Sequence, residues 1–320
     1  MRTFLKLSLL AAAAMVAVVP AAFADMAKVR LAYFVSDSML PALYAKDKGY
    51  FTEAGIDLDM IAVQGGPAVV AAIASGEADI GYSAFVPPIN GRINGVPVKL
   101  FLVLSHEAEP DHKFTFITAS KASGITTLAG VKGKKISMNA NGGLCELMWR
   151  DQLAAIGMKL EDAQMVVLPF PEQEAALEQG NVDAACTINP FHASMLTNPK
   201  LAPVDLAKGM LADLKTPVIS DGVYASETYL AEHSAQASGF AKVMDRARKE
   251  LLADPAALEA ASVKYLELTP EAAKHMVLPI VTPSMAISGD DVQKVLDAMI
   301  KSGMQPGPLK GSDFVAEVKY

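Results

Sequence analysis

Strand-like and helix-like segments alternate between residues 29 and 85, and this alternation constrains the fold more than any other feature of the sequence. Apolar runs predict three strands, at 29–34, 56–63 and 78–82. The segments between them carry apolar residues at helical spacing, which predicts helices at 40–51 and 67–75. Such alternation is typical of parallel sheets covered by helices, so we expect an α/β fold.

Polar or small turns follow these three strands, and they are the first candidates for a binding site. In an open α/β sheet, ligands bind beyond the carboxyl ends of the strands, at loops that lead into helices. Free backbone N–H groups at a helix start favour a polar or anionic group, and glycine allows a close approach. Helix capping and turn formation also explain these residues. The predicted binding residues are Ser36, Asp37, Gln64, Gly65, Ser83, Ala84 and Phe85.

The alternation continues to about residue 190 and predicts a second domain. Further strands are predicted at 98–105, 114–119, 135–139, 164–170 and 182–188, with helices at 144–156 and 172–179. Charged residues and Pro110 interrupt the pattern at 105–113, where we expect the chain to cross between the domains. A short strand at 216–224 is the predicted return crossing, and the helices after it are interpreted as scaffold. Asp254-Pro255 and Thr269-Pro270 predict capped helix starts, and Ser288-Gly289-Asp290-Asp291 predicts a capping box.

The loops of the second domain supply the remaining candidates. Phe191 is a ring that would stack on a planar ligand, although core packing is the commoner role of a phenylalanine. His192 and His106 are the histidines nearest the predicted cleft, and structural hydrogen bonding is the commoner role of each. The predicted binding residues here are His106, Asn139, Asn141, Gly142, Gly143, Asn189, Phe191 and His192.

No arginine or lysine stands at the candidate positions, and Arg92, Lys113 and Arg150 are among the nearest in sequence. A bidentate arginine clamp for a sulfonate or carboxylate is therefore not visible. This favours a neutral or singly charged organic solute of heteroaromatic type, held by amides, hydroxyls and rings.

The first 24 residues have the features of an export signal. Arg2 and Lys6 precede an apolar stretch at 7–19, and Ala22-Phe23-Ala24 matches the small-residue pattern before a cleavage site. The stretch is shorter than the roughly 20 residues that a membrane-spanning helix needs, although a retained anchor is the alternative. We predict export with cleavage after Ala24.

Export also bears on Cys145 and Cys186, the two cysteines of the chain. A disulfide persists in an oxidising compartment, so a bridge between them is one interpretation. A pair of buried free thiols is the interpretation we favour, and the sequence does not decide between the two.

Charge narrows the range of partners. The chain has a net charge of −7, which becomes more negative when Arg2 and Lys6 are removed, and it contains no basic run. We therefore expect neither nucleic acid nor an anionic membrane surface as a partner. Without the signal, about 300 residues remain, enough for two domains of about 150 residues or one larger domain.

Several segments match a known family in order and spacing. They are Ala42-Leu43-Tyr44-Ala45, Lys48-Gly49-Tyr50-Phe51, Ala54-Gly55-Ile56, Gly65-Gly66, the runs at 75–81 and 128–136, Ala176-Leu177 and the run at 180–185. On these residues the chain resembles the periplasmic solute-binding proteins of ABC importers, in the SsuA/THI5-like or NMT1-like branch. Substrates in this branch include alkanesulfonates, taurine, nitrate, pyrimidine precursors of thiamine and aromatic carboxylates.

The resemblance implies a type II periplasmic-binding-protein fold, in which two lobes with mainly parallel sheets are joined by two hinge strands. Lobe 1 would comprise residues 25–105 and 222–320, and lobe 2 residues 106–221. The protein would lie in the periplasm, close on a small-molecule solute and deliver it to an ABC permease at the inner membrane. We expect a monomer that needs no cofactor and no metal.

Two other functions remain open at this stage. The fungal pyrimidine synthases related to this branch use a cysteine-rich run that begins with histidine, which is absent here because the two cysteines lie far apart. A Cys–His nucleophile pair would have to use Cys186 and His192, with no visible residue to orient the histidine. A solute receptor for signalling shares every feature named above. We predict a binding protein without catalytic residues.

Overall fold

The computed structural model describes residues 26–110, 112–276, 284–305 and 307–320, so the predicted signal peptide lies outside the described residues. The described strands form two five-stranded sheets. In chain order the strands are β1 Ala27–Tyr33, β2 Ile56–Ala62, β3 Ile80–Ala84, β4 Val98–Glu107, β5 Thr115–Ala119, β6 Lys135–Met138, β7 Gln164–Val167, β8 Ala184–Ile188, β9 Val204–Lys208 and β10 Val218–Ser226.

Helices follow most of the strands and cover both sheets. They are α1 Leu40–Asp47, α2 Tyr50–Glu53, α3 Gly66–Ala74, α4 Val86–Ile93, α5 Leu144–Ala155, α6 Phe170–Glu178, α7 Phe191–Thr197, α8 Glu227–Glu232, α9 Ser234–Ala253, α10 Pro255–Tyr265, α11 Pro270–Ala273 and α12 Gly289–Lys301. In the part of the chain that the structure describes, no helix is both long enough and apolar enough to cross a membrane.

The strand orders are β2-β1-β3-β10-β4 in the first sheet and β7-β6-β8-β5-β9 in the second. β1 pairs in parallel with β2 and β3, and β6 pairs in parallel with β7 and β8. β10 and β5 run antiparallel to both of their neighbours. Each sheet therefore has four strands in one direction and one reversed strand, which confirms the predicted α/β class with mainly parallel sheets.

Three of the inner strands are buried along their whole length. Every residue of β3, β5 and β8 is buried. Continuous apolar strands are expected where helices cover both faces of a sheet. This burial explains why apolar runs alone were enough to predict these strands.

Two segments join the sheets, one between β4 and β5 and the other between β9 and β10. The first coincides with the predicted crossing at 105–113. The second differs from the prediction, because the strand predicted at 216–224 is β10 and lies inside the first sheet, between β3 and β4. The return crossing is therefore the segment before Val218. The lobe boundary also differs, because residues 218–221, which the sequence assigned to lobe 2, belong to the first sheet.

Glu107 connects the two crossings. Its Oε1 accepts hydrogen bonds from the backbone N–H groups of Phe114 and Thr115 and from the hydroxyl of Thr115, at 2.7–2.8 Å. Its Oε2 accepts a hydrogen bond from the backbone N–H of Met210, on the other crossing. The carboxyl is fully buried, and burial raises its pKa, which these four donors partly offset.

Several predicted boundaries are wrong for local reasons. The single helix predicted at 40–51 is two helices, because Gly49 adopts φ 76° between α1 and α2. The strand predicted at 164–170 ends at Val167, since proline cannot donate to a sheet and Pro169 and Pro171 flank the start of α6. Residues 189–192 are predicted as a loop, but α7 begins at Phe191. β9 has no counterpart in the prediction.

The caps predicted for the late helices are confirmed. Asp254 accepts hydrogen bonds from two backbone N–H groups at the start of α10, and Thr269 accepts one at the start of α11. Ser288 and Asp291 form a capping box at the start of α12. None of these helices lines the cavity described below, which agrees with their interpretation as scaffold.

Cys145 and Cys186 form a disulfide, so the interpretation as free thiols is wrong. Cys145 lies at the start of α5 and Cys186 in the middle of β8, with a Cα–Cα distance of 5.6 Å. Both cysteines are fully buried, and this separation lies within the range that a disulfide spans. The sequence could not show that the start of α5 packs directly against β8.

Candidate functional site

A cavity of about 110 Å³ lies where loops of the two sheets face each other. Its lining comes from the carboxyl ends of β1 and β2 on one side, and from the ends of β6 and β7 and the start of α7 on the other. The lining residues are Phe34, Val35, Ala62, Val63, Gln64, Gly65, Asn139, Pro169, Phe170, Pro171 and Phe191. None of these residues carries a charge, so the cavity wall is apolar with two amides.

Three phenylalanines lie side by side across the gap between the sheets and line this cavity. We call them the aromatic trio. The ring centroids of Phe34 and Phe170 are 6.0 Å apart, and those of Phe170 and Phe191 are 5.7 Å apart at an interplanar angle of 18°. Phe34 follows β1 of the first sheet, whereas Phe170 and Phe191 belong to helices of the second. Rings at these separations attract one another and would hold a planar solute in the same way.

Gly65 of one loop lies against the side chain of Asn139 on the opposite loop. Gly65 adopts φ 84° and ψ 170°, a conformation that is essentially restricted to glycine. A Cβ on Gly65 would lie 3.1 Å from Nδ2 of Asn139. The backbone conformation therefore requires glycine here, and a Cβ would also crowd the amide of Asn139 on the opposite loop.

Asp37 and Asp221 lie beside this cavity, and we call them the acidic pair. Ser38 links them, because its backbone N–H donates to Oδ1 of Asp37 and its hydroxyl donates to Oδ2 of Asp221, both at 2.9 Å. Asp37 also donates its backbone N–H to the carbonyl of Asn189, in the loop of the second sheet, at 3.3 Å. The acidic pair is therefore positioned at the contact between the sheets.

Both members of the acidic pair are buried, with exposures of 4% for Asp37 and 9% for Asp221. Burial raises the pKa of Asp37 well above its ordinary value, and the Asp221 carboxyl adds to this effect. Burial likewise raises the pKa of Asp221 to about 6, although the hydroxyls of Ser105, Ser38 and Tyr82 oppose the shift. Neither carboxyl forms an ion pair with any described residue.

Ser36 closes this region from the side of the first sheet. It is 1% exposed, and its hydroxyl forms a hydrogen bond of 2.5 Å with the hydroxyl of Tyr82. The ring of Tyr82 lies 5.5 Å from that of Phe34. Ser36 therefore supports the aromatic trio from behind rather than lining the cavity.

Asn141 and Gly142 lie on a second, more open groove between the two sheets, where Asn90, Pro87 and Gln305 are neighbours. Asn90 donates a hydrogen bond of 2.9 Å to the carbonyl of Gly142. The backbone N–H of Gly142 donates to Glu146. The start of α5 therefore already has a carboxylate, Glu146, and Gly143 is buried as its N-cap residue.

Ser83, Ala84 and Phe85 are buried within and just after β3. The hydroxyl of Ser83 is bonded to the carbonyl of Ala84 and to Tyr224, and the N–H of Phe85 donates to the carbonyl of Ser220. Pro87 and Pro88 follow at the start of α4 and have no N–H. Few free donors remain there, so the anion site expected at this helix start lacks most of its N–H groups.

The two histidines lie away from the cavity. The imidazole of His192 stacks on the ring of Phe116 with centroids 3.6 Å apart and forms a hydrogen bond of 2.8 Å with Asp205. Burial would raise the pKa of Asp205, but hydrogen bonds from His192, Thr118 and Lys208 lower it to about 2. His106 is half-buried on β4, where burial lowers its pKa and the charges of Asp291 and Lys294 on α12 also act on it.

The structure thus brings Gln64, Gly65, Asn139 and Phe191 to one cavity, with Asp37 and Asn189 beside it. Phe34 and Phe170 line the same cavity and were missed by the sequence analysis. A signal was present for both, since Phe34 ends the first strand and Phe170 stands between Pro169 and Pro171. No group of three or more metal-ligating side chains is found among the described residues.

Residues 37–258 match the family model described as NMT1/THI5 like. The chain belongs to the NMT1/THI5-like family. It is 28% identical over 267 residues to a putative aliphatic sulfonates-binding protein of Bacillus subtilis, which covers 81% of this chain and 76% of that protein. It is also 26% identical over 241 residues to a 4-amino-5-hydroxymethyl-2-methylpyrimidine phosphate synthase of Uromyces fabae, with coverage of 72% and 68%.

The fold of this NMT1/THI5-like chain is similar to that of the alkanesulfonate-binding protein SsuA from Xanthomonas axonopodis pv. citri bound to MOPS. The TM-score is 0.76 at 20% identity, and the match covers 92% of this chain and 99% of that one. The predicted type II periplasmic-binding-protein fold is therefore confirmed.

Proposed function

We propose that this NMT1/THI5-like protein is the periplasmic solute-binding component of an ABC importer, which captures a small organic solute between two lobes and delivers it to a permease. The observation that carries this proposal is the cavity whose wall is shared by loops of both sheets. Contacts from both sides exist together only when the sheets are close, so a solute stabilises the closed state. The sulfonate-binding relative and the similarity to SsuA support the same function.

The proposed lobes follow from the two sheets. Lobe 1 would contain the first sheet with the late helices, and lobe 2 the second sheet, with the crossings around residues 108–114 and 209–217 as the hinge. The proposed location is the periplasm, after cleavage behind Ala24, and the proposed state is a monomer. The buried disulfide supports an oxidising compartment, where such bonds persist.

A catalytic role is the alternative, because several relatives are named as 4-amino-5-hydroxymethyl-2-methylpyrimidine phosphate synthases. A cysteine nucleophile would need a free thiolate. Cys145 and Cys186 are instead joined to each other and fully buried, and His192 is paired with Asp205. These contacts favour binding over catalysis by these residues.

A thermal-shift screen tests the proposal, with sulfonates, pyrimidines, aromatic acids and inorganic anions as the panel. A ligand that binds only the folded protein stabilises it by about 2.7 kcal/mol at a hundredfold excess over its dissociation constant. Small-angle scattering of the protein with and without each hit then measures closure. A panel without any hit, or hits without a change in radius of gyration, would contradict solute capture by closure.

Variants locate the binding of any hit. Phe191→Leu keeps an apolar side chain at the start of α7 but removes one ring of the aromatic trio. Since an aromatic pair contributes about 0.5–1.5 kcal/mol beyond its buried area, the affinity of a ring-bearing solute should fall by about two- to tenfold. Leu196→Ala on the same helix is the matched control, because Leu196 is 40% exposed and does not line the cavity. An equal effect of both variants would place the solute elsewhere.

A further inference from the structure

Several buried polar atoms near the cavity have no hydrogen-bond partner among the described residues, and they include Oγ of Ser137 and Oε1 of Gln173, each two residues from a lining residue. Four further atoms are carboxyl or amide oxygens, and an ionised carboxylate or an amide oxygen accepts but does not donate hydrogen bonds. They are Oδ2 of Asp37, Oδ1 of Asn139, Oδ1 of Asn189 and Oδ1 of Asp221. Buried polar atoms are nearly always paired, so a group of unpaired acceptors at one place indicates a ligand that supplies donors.

Three of these residues are close to the cavity along the chain, and Asp221 is linked to Asp37 through Ser38. Asp37 follows Val35 by two residues, and Asn189 precedes Phe191 by two, while Val35, Phe191 and Asn139 line the cavity. The hydrogen bond from Asp37 to the carbonyl of Asn189 joins the two loops. The unpaired acceptors therefore come from both sheets and adjoin the aromatic trio.

The acidic side chains near the cavity bear charges of one sign when they are ionised. The acidic pair contributes two carboxyl groups, Glu107 acts on both of them, and no described ion pair involves either one. Tyr82 is a further titratable side chain near the pair, and its pKa is also raised by burial and by these carboxyls. Buried carboxylates are unfavourable without a cationic or donor partner, and they repel an anion.

We propose that the solute is a planar cation, in which a ring packs against the aromatic trio and a protonated nitrogen group donates hydrogen bonds to Asp37 and Asp221. This inference rests on the proposed function and specifies its substrate class. An amidinium, a guanidinium or an aminopyridinium has the required chemistry, because each is flat, positively charged and bears several N–H donors. A sulfonate, the substrate class named for the Bacillus subtilis relative, has only acceptors and a negative charge.

Three probes of nearly the same shape test this inference, namely benzamidine, benzamide and benzoate. Benzamidine is a planar cation, benzamide is neutral and benzoate is an anion. Hydrogen bonds to charged groups are strong enough that benzamidine should bind at least about tenfold more tightly than benzoate, with benzamide between them. Isothermal titration at pH 7 and millimolar probe concentration measures this order. The inference is overturned if benzamidine binds no more tightly than benzoate, or if neither probe binds detectably.

The variants Asp37→Asn and Asp221→Asn assign the site. Each retains an oxygen for the hydrogen bond from Ser38 but removes the charge. Benzamidine affinity should fall about tenfold in each variant, while benzamide affinity should change less than threefold. Asp59→Asn is the control, because Asp59 is an exposed carboxylate on β2 of the same sheet. Unchanged benzamidine affinity in both acidic-pair variants would overturn the inference.

A second readout separates charge recognition from a structural effect of these variants. Since burial holds the pKa of Asp37 high, a cation that binds beside it should expel a proton into the solvent. Titrations of benzamidine in buffers of different ionisation enthalpy should show proton release in the wild type and less release in Asp37→Asn. Proton uptake, or equal release in both proteins, would contradict the assignment. If the sulfonates of the broader panel stabilise the protein while benzamidine does not, solute capture stands and the cation inference fails.

Discussion

Glu107 accepts a hydrogen bond from the backbone N–H of Met210, so one carboxyl joins the two segments that cross between the sheets. The same side chain accepts three further hydrogen bonds at the start of β5. A change of the hinge geometry must therefore alter the hydrogen bonds of the buried Glu107 carboxyl, because its four donors come from both crossings.

Replacing Glu107 with glutamine is expected to destabilise the protein by about 2–4 kcal/mol. Glutamine presents an NH₂ group where a carboxylate oxygen now faces an N–H donor, and it loses the charge that strengthens the remaining hydrogen bonds. Chemical denaturation measures the free energy of unfolding. Glu317→Gln is the control, because Glu317 lies in the exposed C-terminal segment, and a loss below about 1 kcal/mol for Glu107→Gln would contradict the role of the hinge carboxyl.

Gly65→Ala should impair closure. The added Cβ would lie 3.1 Å from Nδ2 of Asn139 on the opposite loop, and the φ of Gly65 disfavours any other residue. We expect weaker binding of any solute found in the screen and a larger radius of gyration in its presence, measured by titration and small-angle scattering.

Gly49→Ala is the comparison for Gly65→Ala. Gly49 also has a positive φ, of 76°, but a Cβ there would meet nothing within 4 Å. Gly49→Ala should therefore affect stability without changing solute affinity. If the two variants weaken binding equally, the effect comes from backbone strain rather than from the contact with Asn139.

Removing the disulfide should destabilise the protein by about 4 kcal/mol. In the chain-entropy model this value follows from a closed loop with a sequence separation of 41 residues. The double variant Cys145→Ala/Cys186→Ala, compared with wild type by chemical denaturation, measures the loss. A change under about 1 kcal/mol would show that the bond restricts the unfolded chain far less than this model requires.

The stability of the wild type relative to Asp221→Asn should depend on pH. An aspartate has a pKa of about 3.9 in the unfolded chain, whereas burial raises that of Asp221 to about 6 in the fold. The folded protein therefore binds this proton more tightly, and the resulting stability is present below about pH 4 and is lost as the pH rises through about 6.

Unfolding free energies of both proteins between pH 4 and pH 8 check this dependence. Asparagine does not titrate. As the pH rises from about 4 to about 6, Asp221→Asn should therefore become more stable relative to wild type, and it should keep that advantage above pH 6. Asp37, Glu107 and Tyr82 also face Asp221 and are present in both proteins. Parallel curves for the two proteins would contradict the raised pKa.

The sequence by itself determined the α/β class, most strands and the late helix caps. Continuous apolar runs are sufficient to locate buried strands such as β3 and β8, and an Asp or Thr before proline signals a cap, because both patterns depend on nearby residues alone. The turn at Gly65 and the ring at Phe191 were likewise predicted for binding from their positions after strands, and they now line one cavity.

Only the tertiary structure decided which loops meet. The disulfide, the aromatic trio and the acidic pair each combine residues that are distant in the chain, such as Phe34 with Phe170 and Asp37 with Asp221. The reversed strand β10 could not be placed from its own residues, since strand order depends on packing against β3 and β4. Apolar periodicity fixes local structure and burial, whereas the partners of a buried side chain follow from how separate elements pack together.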